Sequence, residues 1–243
     1  MPDFASFDDV KLHYEVEGDA FPVVLLHGII ANIELNWRAP GIWKALVDAG
    51  HRVIGIDARG HGSSEKPHDP SAYADNAMAK DVGALFDHLD LKQADVVGYS
   101  MGAGVAMRFA ARDDRIRRLV LGGFGGRFGQ GRDVDRSRFA AAFEGDDESS
   151  TPEEFLPFRR FAIGSGMDMG ALRALVRSDQ FEGEFEAAKI RVPTLVVCGD
   201  EDPMQPHELA AALPDGRAAT VKGDHFMAVI DPALASEIVS FLS

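Results

Sequence analysis

Only one cysteine, Cys198, occurs in the 243 residues, so the chain cannot close a disulfide on itself. That cysteine ends the apolar run Leu195-Val196-Val197-Cys198, where a free thiol serves as a small core hydrophobe. No apolar run approaches the ~20 residues of a membrane span. The opening residues, Met1-Pro2-Asp3-Phe4-Ala5, lack the basic-then-apolar order of a secretion signal, and the expected location is cytoplasmic. Positive charge is also scarce. The chain has 25 Lys and Arg against 39 Asp and Glu, a formal net charge of -14. Such a surface repels nucleic acid and anionic lipid, so neither is expected as a partner. No histidine and carboxylate cluster has metal-ligand spacing, and no metal or other cofactor is expected. No internal repeat is present, and no feature marks an oligomeric state.

The chain is 46% hydrophobic and 26% charged, which excludes wholesale disorder and suffices for one full core. Short β-like runs alternate with amphipathic helical stretches, the pattern of an α/β sheet. A hairpin is expected from Phe4 to Glu17, turning at Asp8-Asp9. Strands follow at Pro22–Leu26, Arg52–Ile56, Ala94–Tyr99, Ile116–Leu121, Pro193–Cys198 and Arg217–Val221. Between them the spacing predicts helices over 42–49, 76–89, 101–111, 207–213 and 232–242.

The stretch 127–188 breaks this alternation. It offers no strand but three helical pieces, 134–143, 152–163 and 171–178. From Phe124 to Phe185 it also holds nine of the 16 phenylalanines. That concentration points to an apolar layer covering a cavity, so the expected organisation is a core of residues 1–126 and 189–243 with a helical cap over 127–188. The plainer alternative is an inserted helical pair with its own small core. The arginines Arg127, Arg132, Arg136 and Arg138 could bind a carboxylate there or simply face solvent.

Gly98-Tyr99-Ser100-Met101-Gly102 is the only Gly-x-Ser-x-Gly in the chain. An apolar strand precedes it and an alanine-rich helix follows at once, the context of a nucleophile elbow. A serine hydroxyl needs a base to take its proton, and in chains with this elbow an acid and then a histidine follow the serine. Six of the eight histidines precede Ser100, leaving His207 and His225. His207 starts a helix and reads as a surface residue. His225 lies in Gly223-Asp224-His225-Phe226, a loop after the last strand, and is the expected base. The acid should follow the preceding strand, in Gly199-Asp200-Glu201-Asp202-Pro203. Asp200 is too near the strand end, so Asp202 is expected to orient the imidazole. The loop His27-Gly28-Ile29-Ile30 and the residue after the serine place an oxyanion hole at the backbone N–H groups of Ile29 and Met101. His27 is expected to brace that loop.

These motifs, with Asp57-Ala58-Arg59-Gly60-His61-Gly62-Ser63-Ser64, resemble the α/β-hydrolase superfamily over essentially the whole chain. The resemblance implies an eight-stranded, mostly parallel sheet flanked by helices, with a helical cap after the sixth strand. It makes Asp57–Ser64 a structural turn. Ser100 disfavours the branches with an aspartate nucleophile, the haloalkane dehalogenases and epoxide hydrolases. Carboxylesterases, enol-lactonases, carbon–carbon bond hydrolases, thioesterases and cofactor-free perhydrolases stay open. The expected partner is a small-molecule, ester-like substrate with an apolar acid part. A receptor or signalling protein that kept the fold is the rival reading. The loop Ala31–Pro40 receives no substrate role.

Overall fold

The computed structural model describes residues 2–126, 136–145, 147–149, 151–180 and 185–243. The strands are β1 (Asp3–Ala5), β2 (Lys11–Glu17), β3 (Pro22–Leu26), β4 (Arg52–Ile56), β5 (Ala94–Tyr99), β6 (Ile116–Gly122), β7 (Thr194–Gly199) and β8 (Gly216–Val221). They form one eight-stranded sheet in the order β1-β2-β4-β3-β5-β6-β7-β8. β2 pairs antiparallel with β1 and β4, and every later pairing is parallel. The expected strands thus stand within a residue of their expected bounds. The hairpin turns at Asp8-Asp9, where Asp9 takes a positive φ of 66°.

The inner strands read as unbroken apolar runs because helices cover both faces of the sheet. Alternation sends successive side chains to opposite sides. Val23 and Leu25 of β3 join one core with Trp37, Trp43, Leu234 and Ile238. Val24 and Leu26 join the other with Val82, Leu85 and Phe109. The first core is closed by α1 (Ile42–Asp48) and, at the end of the chain, by α9 (Pro232–Leu242); the second rests on α2 (Ala77–His88) and α3 (Met101–Ala110). Among the described residues no helix is long and apolar enough to cross a membrane.

Between β6 and β7 lie α4 (Arg136–Ala141), α5 (Leu156–Gly164) and α6 (Met169–Arg177). The expected piece 152–163 is divided: residues Glu153–Phe155 make a 3-10 turn, and α5 begins only at Leu156, with Pro157 in its first turn. A proline fits there because the first-turn N–H groups have no intrahelical acceptor. The remaining helices are α7 (Pro206–Ala212) and α8 (Met227–Ile230).

The Asp57–Ser64 turn works as a fastener. Asp57 accepts from Ile33 N–H at 2.9 Å and Ser63 N–H at 2.7 Å. Arg59 is fully buried. It forks onto Asp81 at 2.6 and 2.7 Å and reaches Asp8 at 2.9 Å. That bidentate ion pair ties the first hairpin and the turn to α2.

Candidate active site

Ser100 sits between β5 and α3 with φ 53° and ψ −114°. A non-glycine residue in that region stores about 1–3 kcal/mol of strain. The surroundings hold it: Ser100 N–H donates to Gly122 O at 2.8 Å, and Ser100 O accepts from Ala103 N–H at 3.0 Å. The flanking glycines permit the close approach. A Cβ on Gly98 would strike the backbone of Gly102 and Ala103, and one on Gly102 would strike the Leu26 and His27 carbonyls.

The loops after β7 and β8 bring the other two residues to this turn. Ser100 Oγ is 2.9 Å from His225 Nε2, and His225 Nδ1 is 2.8 Å from Asp202 Oδ2. Asp202 is wholly buried and its other oxygen accepts from Met204 N–H at 2.9 Å. An ionised carboxylate only accepts, so the imidazole proton belongs on Nδ1 and Nε2 is free to take the serine proton. The competing residues have other work. Asp200 pairs with Lys222 at 2.6 Å and accepts from Gly223 N–H at 2.9 Å, on the surface. Asp224 caps the turn into α8 through Phe226 and Met227 N–H. Glu201 and His207 are exposed. Cys198 is buried, and burial pushes its thiol up to about 12.

The sequence reading passed over Tyr99. Its phenol donates to the carbonyl of His225 at 2.7 Å, and burial raises its pKa. It occupies the variable position of the serine motif, which carries no signal of that contact.

Ile29 lines the same cavity as Ser100, Met101 follows Ser100 in the chain, and among the described residues neither backbone N–H has an acceptor. His27 braces this loop as expected. Ala58 N–H donates to its Nε2 at 3.0 Å, so the ring proton is on Nδ1, which donates to Gly28 O at 2.7 Å. The Gly28 carbonyl and the Ile29 N–H share one planar peptide, so that bond fixes the direction of the N–H. His61 holds the next carbonyl, Ile29 O, at 2.6 Å. Burial, and then the neighbouring His61, pull the His27 pKa down to about 4, which keeps this ring neutral near pH 7.

A cavity of about 450 Å³ opens over the serine, within the usual size of a small-molecule site. Ile29, Ile30, Leu35, Val229 and Ile230 line it together with Pro157, Phe158 and Phe161 of α5. The phenylalanine-rich stretch therefore divides its work. Phe158 and Phe161 face the cavity, while Phe139, Phe143 and Phe155 build an edge-to-face aromatic cluster behind them. Phe158 also meets Phe226, beside His225, with centroids 4.9 Å apart. The side chains of Arg127, Arg132, Arg136 and Arg138 lie outside the described residues. Of the other arginines here, Arg159 is buried and donates to the carbonyls of Ala142, Glu144 and Gly145. Arg160 and Arg177 pair with Glu148 and Glu144.

A family model described as serine hydrolase (FSH1) matches residues 93–228, and one described as alpha/beta hydrolase fold matches residues 22–125. The chain is 37% identical over 123 residues to the non-heme chloroperoxidase CPO-A1 of Kitasatospora aureofaciens, covering 50% of this chain and 43% of that protein. It is 37% identical over 122 residues to the 2-hydroxymuconate semialdehyde hydrolase of Pseudomonas sp. strain CF600, covering 48% and 41%. These matches span less than half the length of either relative. Among solved structures, the enol-lactonase from Burkholderia xenovorans LB400 superposes with a TM-score of 0.73 at 26% identity, over 99% of both chains.

Proposed function

The chain belongs to the α/β-hydrolase superfamily, and from that premise we propose that it is a serine hydrolase that cleaves a small to medium carboxylic ester through an acyl-enzyme on Ser100. The observation that carries the reading is the unbroken line from Ser100 Oγ through the His225 ring to buried Asp202, with bonds of 2.9 and 2.8 Å, at the floor of an apolar cavity. Three segments far apart in sequence meet there at hydrogen-bond range.

In this reading Ser100 Oγ attacks the ester carbonyl carbon as His225 Nε2 takes its proton. Negative charge gathers on the carbonyl oxygen, where the N–H groups of Ile29 and Met101 receive it. Each such donor is worth about 3 kcal/mol of barrier. The carbonyl re-forms, the alkoxide leaves with the proton from Nε2, and the acyl group stays on Ser100. Water then gives its proton to the same nitrogen and attacks the acyl carbon. The acid departs and the proton returns to Ser100. Asp202 keeps the ring in the correct tautomer and stabilises its charged form. Residues 127–188 act as a cap over a core of 1–126 and 189–243, with Phe158 and Phe161 excluding water from the acyl group. The likeness to an enol-lactonase extends the candidate substrates to cyclic esters.

The experiment is direct. A fluorophosphonate should add its mass to Ser100 and stop hydrolysis of a p-nitrophenyl ester. Absence of an adduct, or full activity in Ser100→Ala, would overturn the proposal and favour a binding protein on this fold.

A further inference from the structure

The cavity wall contains a buried donor that, among the described residues, meets no acceptor. Asn36 is 3% exposed and lines the same cavity as Ser100 and His225. Its Oδ1 accepts from Gly28 N–H at 2.9 Å, which fixes which way the amide faces. Its Nδ2 is buried and, among the described residues, has no acceptor. Two other buried nitrogens share that condition, on Trp37 and Arg159, but neither residue borders the cavity. An amide N–H stripped of water and left unpaired is costly. A donor held that way beside a nucleophile is suited to a partner that arrives with the ligand.

Its position is also prepared. Asn36 lies on a single π-helical turn, Glu34–Arg38, closed by Ala39 N–H to Glu34 O at 2.9 Å. Such turns concentrate at functional sites. Asn32 holds the turn from one side through Leu35 N–H at 2.8 Å. On the other, Trp37 is buried and Arg38 lies 4.0 Å over the Trp43 ring and 2.6 Å from Glu15. Asn36 Oδ1 and Ser100 Cβ each stand 3.6 Å from the point where a Gly28 Cβ would be. The amide and the nucleophile thus both border Gly28.

The rest of the described lining is almost wholly apolar, and the Tyr99 hydroxyl is already committed to His225 O. A neutral donor in such a wall matches a neutral oxygen, since a desolvated carboxylate would call for a cation. Building on the serine-hydrolase reading, we infer that Asn36 is a substrate-contacting, specificity-determining residue whose Nδ2–H donates to an uncharged oxygen of the acyl part. The preferred acid then carries an ether, keto or lactone oxygen within a few bonds of the scissile carbonyl, on an otherwise apolar body.

A matched pair of esters tests this. p-Nitrophenyl butyrate and p-nitrophenyl methoxyacetate differ by one oxygen in place of one methylene. Their unequal intrinsic reactivity cancels when the methoxyacetate-to-butyrate ratio of kcat/KM is compared between enzymes. Asn36→Asp keeps an oxygen for Gly28 N–H but loses the N–H2 donor, and Asn36→Leu loses both. Each should lower the ratio about 3- to 10-fold, the worth of one neutral hydrogen bond. Equilibrium binding of the same pair to Ser100→Ala, with and without Asn36→Leu, should shift by a similar factor. If both ratios are unmoved, Asn36 only braces Gly28 and the inference falls. If wild-type protein hydrolyses neither ester while the binding ratio shifts, the Asn36 contact stands and the hydrolase reading falls instead.

Discussion

The phenol of Tyr99 donates a 2.7 Å hydrogen bond to the main-chain carbonyl of His225, so the residue just before Ser100 grips the loop that carries the imidazole to it. Tyr99→Phe removes the donor and leaves a carbonyl short of a partner. A stability loss of about 1 kcal/mol is expected from the bond itself. A looser ring should lower kcat by roughly tenfold with little change in KM, since proton transfer depends on alignment more than ester binding does. Steady-state kinetics and urea unfolding of Tyr99→Phe measure both. Unchanged kcat would show that the ring is held by Asp202 alone.

Asp202→Asn preserves shape but offers an N–H2 or a carbonyl where the imidazole needs an anion. His225 Nδ1 would then lose the acceptor that sets its tautomer. The expected cost is about 10⁴-fold in kcat near pH 7, with partial recovery at high pH. Asp200→Asn, on the surface pair with Lys222, should change kcat by less than about twofold. Similar losses in both variants would contradict the assignment of the acid.

His27 ties the geometry of the 27–30 loop to pH stability. Its folded value of about 4 lies below the ordinary 6.5, burial being the larger cause. As pH falls past 6.5 the unfolded chain takes up a proton here and the folded chain does not, until about 4. Stability from this residue is therefore complete above ~6.5 and lost toward pH 4, by up to about 3 kcal/mol. His61, also lowered by burial, acts in the same direction. Urea unfolding at pH 7.5 and pH 4.5 should show a smaller acid loss in His27→Gln than in the wild type. Parallel losses would exclude His27 as a source.

Arg59 and Asp81 are both buried and face each other at 2.6 Å. Burial raises the Asp81 pKa, and the Arg59 bond opposes that rise. Arg59→Met should cost about 3–5 kcal/mol, because it strands a buried carboxylate. Arg59→Met with Asp81→Leu should recover much of this, as removing both partners leaves no buried uncompensated carboxylate, Asp8 being open to solvent. Thermal unfolding of the two single variants and the double one checks it. Additive losses would mean the pair is not coupled.

The sheet was legible because its inner strands are covered on both faces and so read as unbroken apolar runs; β3 and β4 stand at their expected bounds. Ser100, Asp202 and His225 were legible through chain order and neighbouring glycines, and the side chains meet as the order implies. Asn36 was not. A lone asparagine has no periodicity, and what singles it out is an acceptor engaged on one side and, among the described residues, a donor without a partner on the other. The phenylalanine-rich stretch was legible only as a stretch: composition cannot tell the rings lining the cavity, Phe158 and Phe161, from those such as Phe143 that pack in the core. Arg159, eligible by type as an anion binder, instead ties three carbonyls of its own segment.

Strands β6 and β7 are direct neighbours, with Gly122 opposite Val197 and Leu119 opposite Thr194. Because the two strands run parallel, the polypeptide leaves this ladder at Gly122 and re-enters it at Thr194, opposite Leu119 and so further back along β6. Closing a loop between such fixed posts depends only weakly on its length. The connection can therefore change in length while the ladder keeps its register, which makes this junction a graft point for exchanging residues, such as Phe158 and Phe161, that line the cavity.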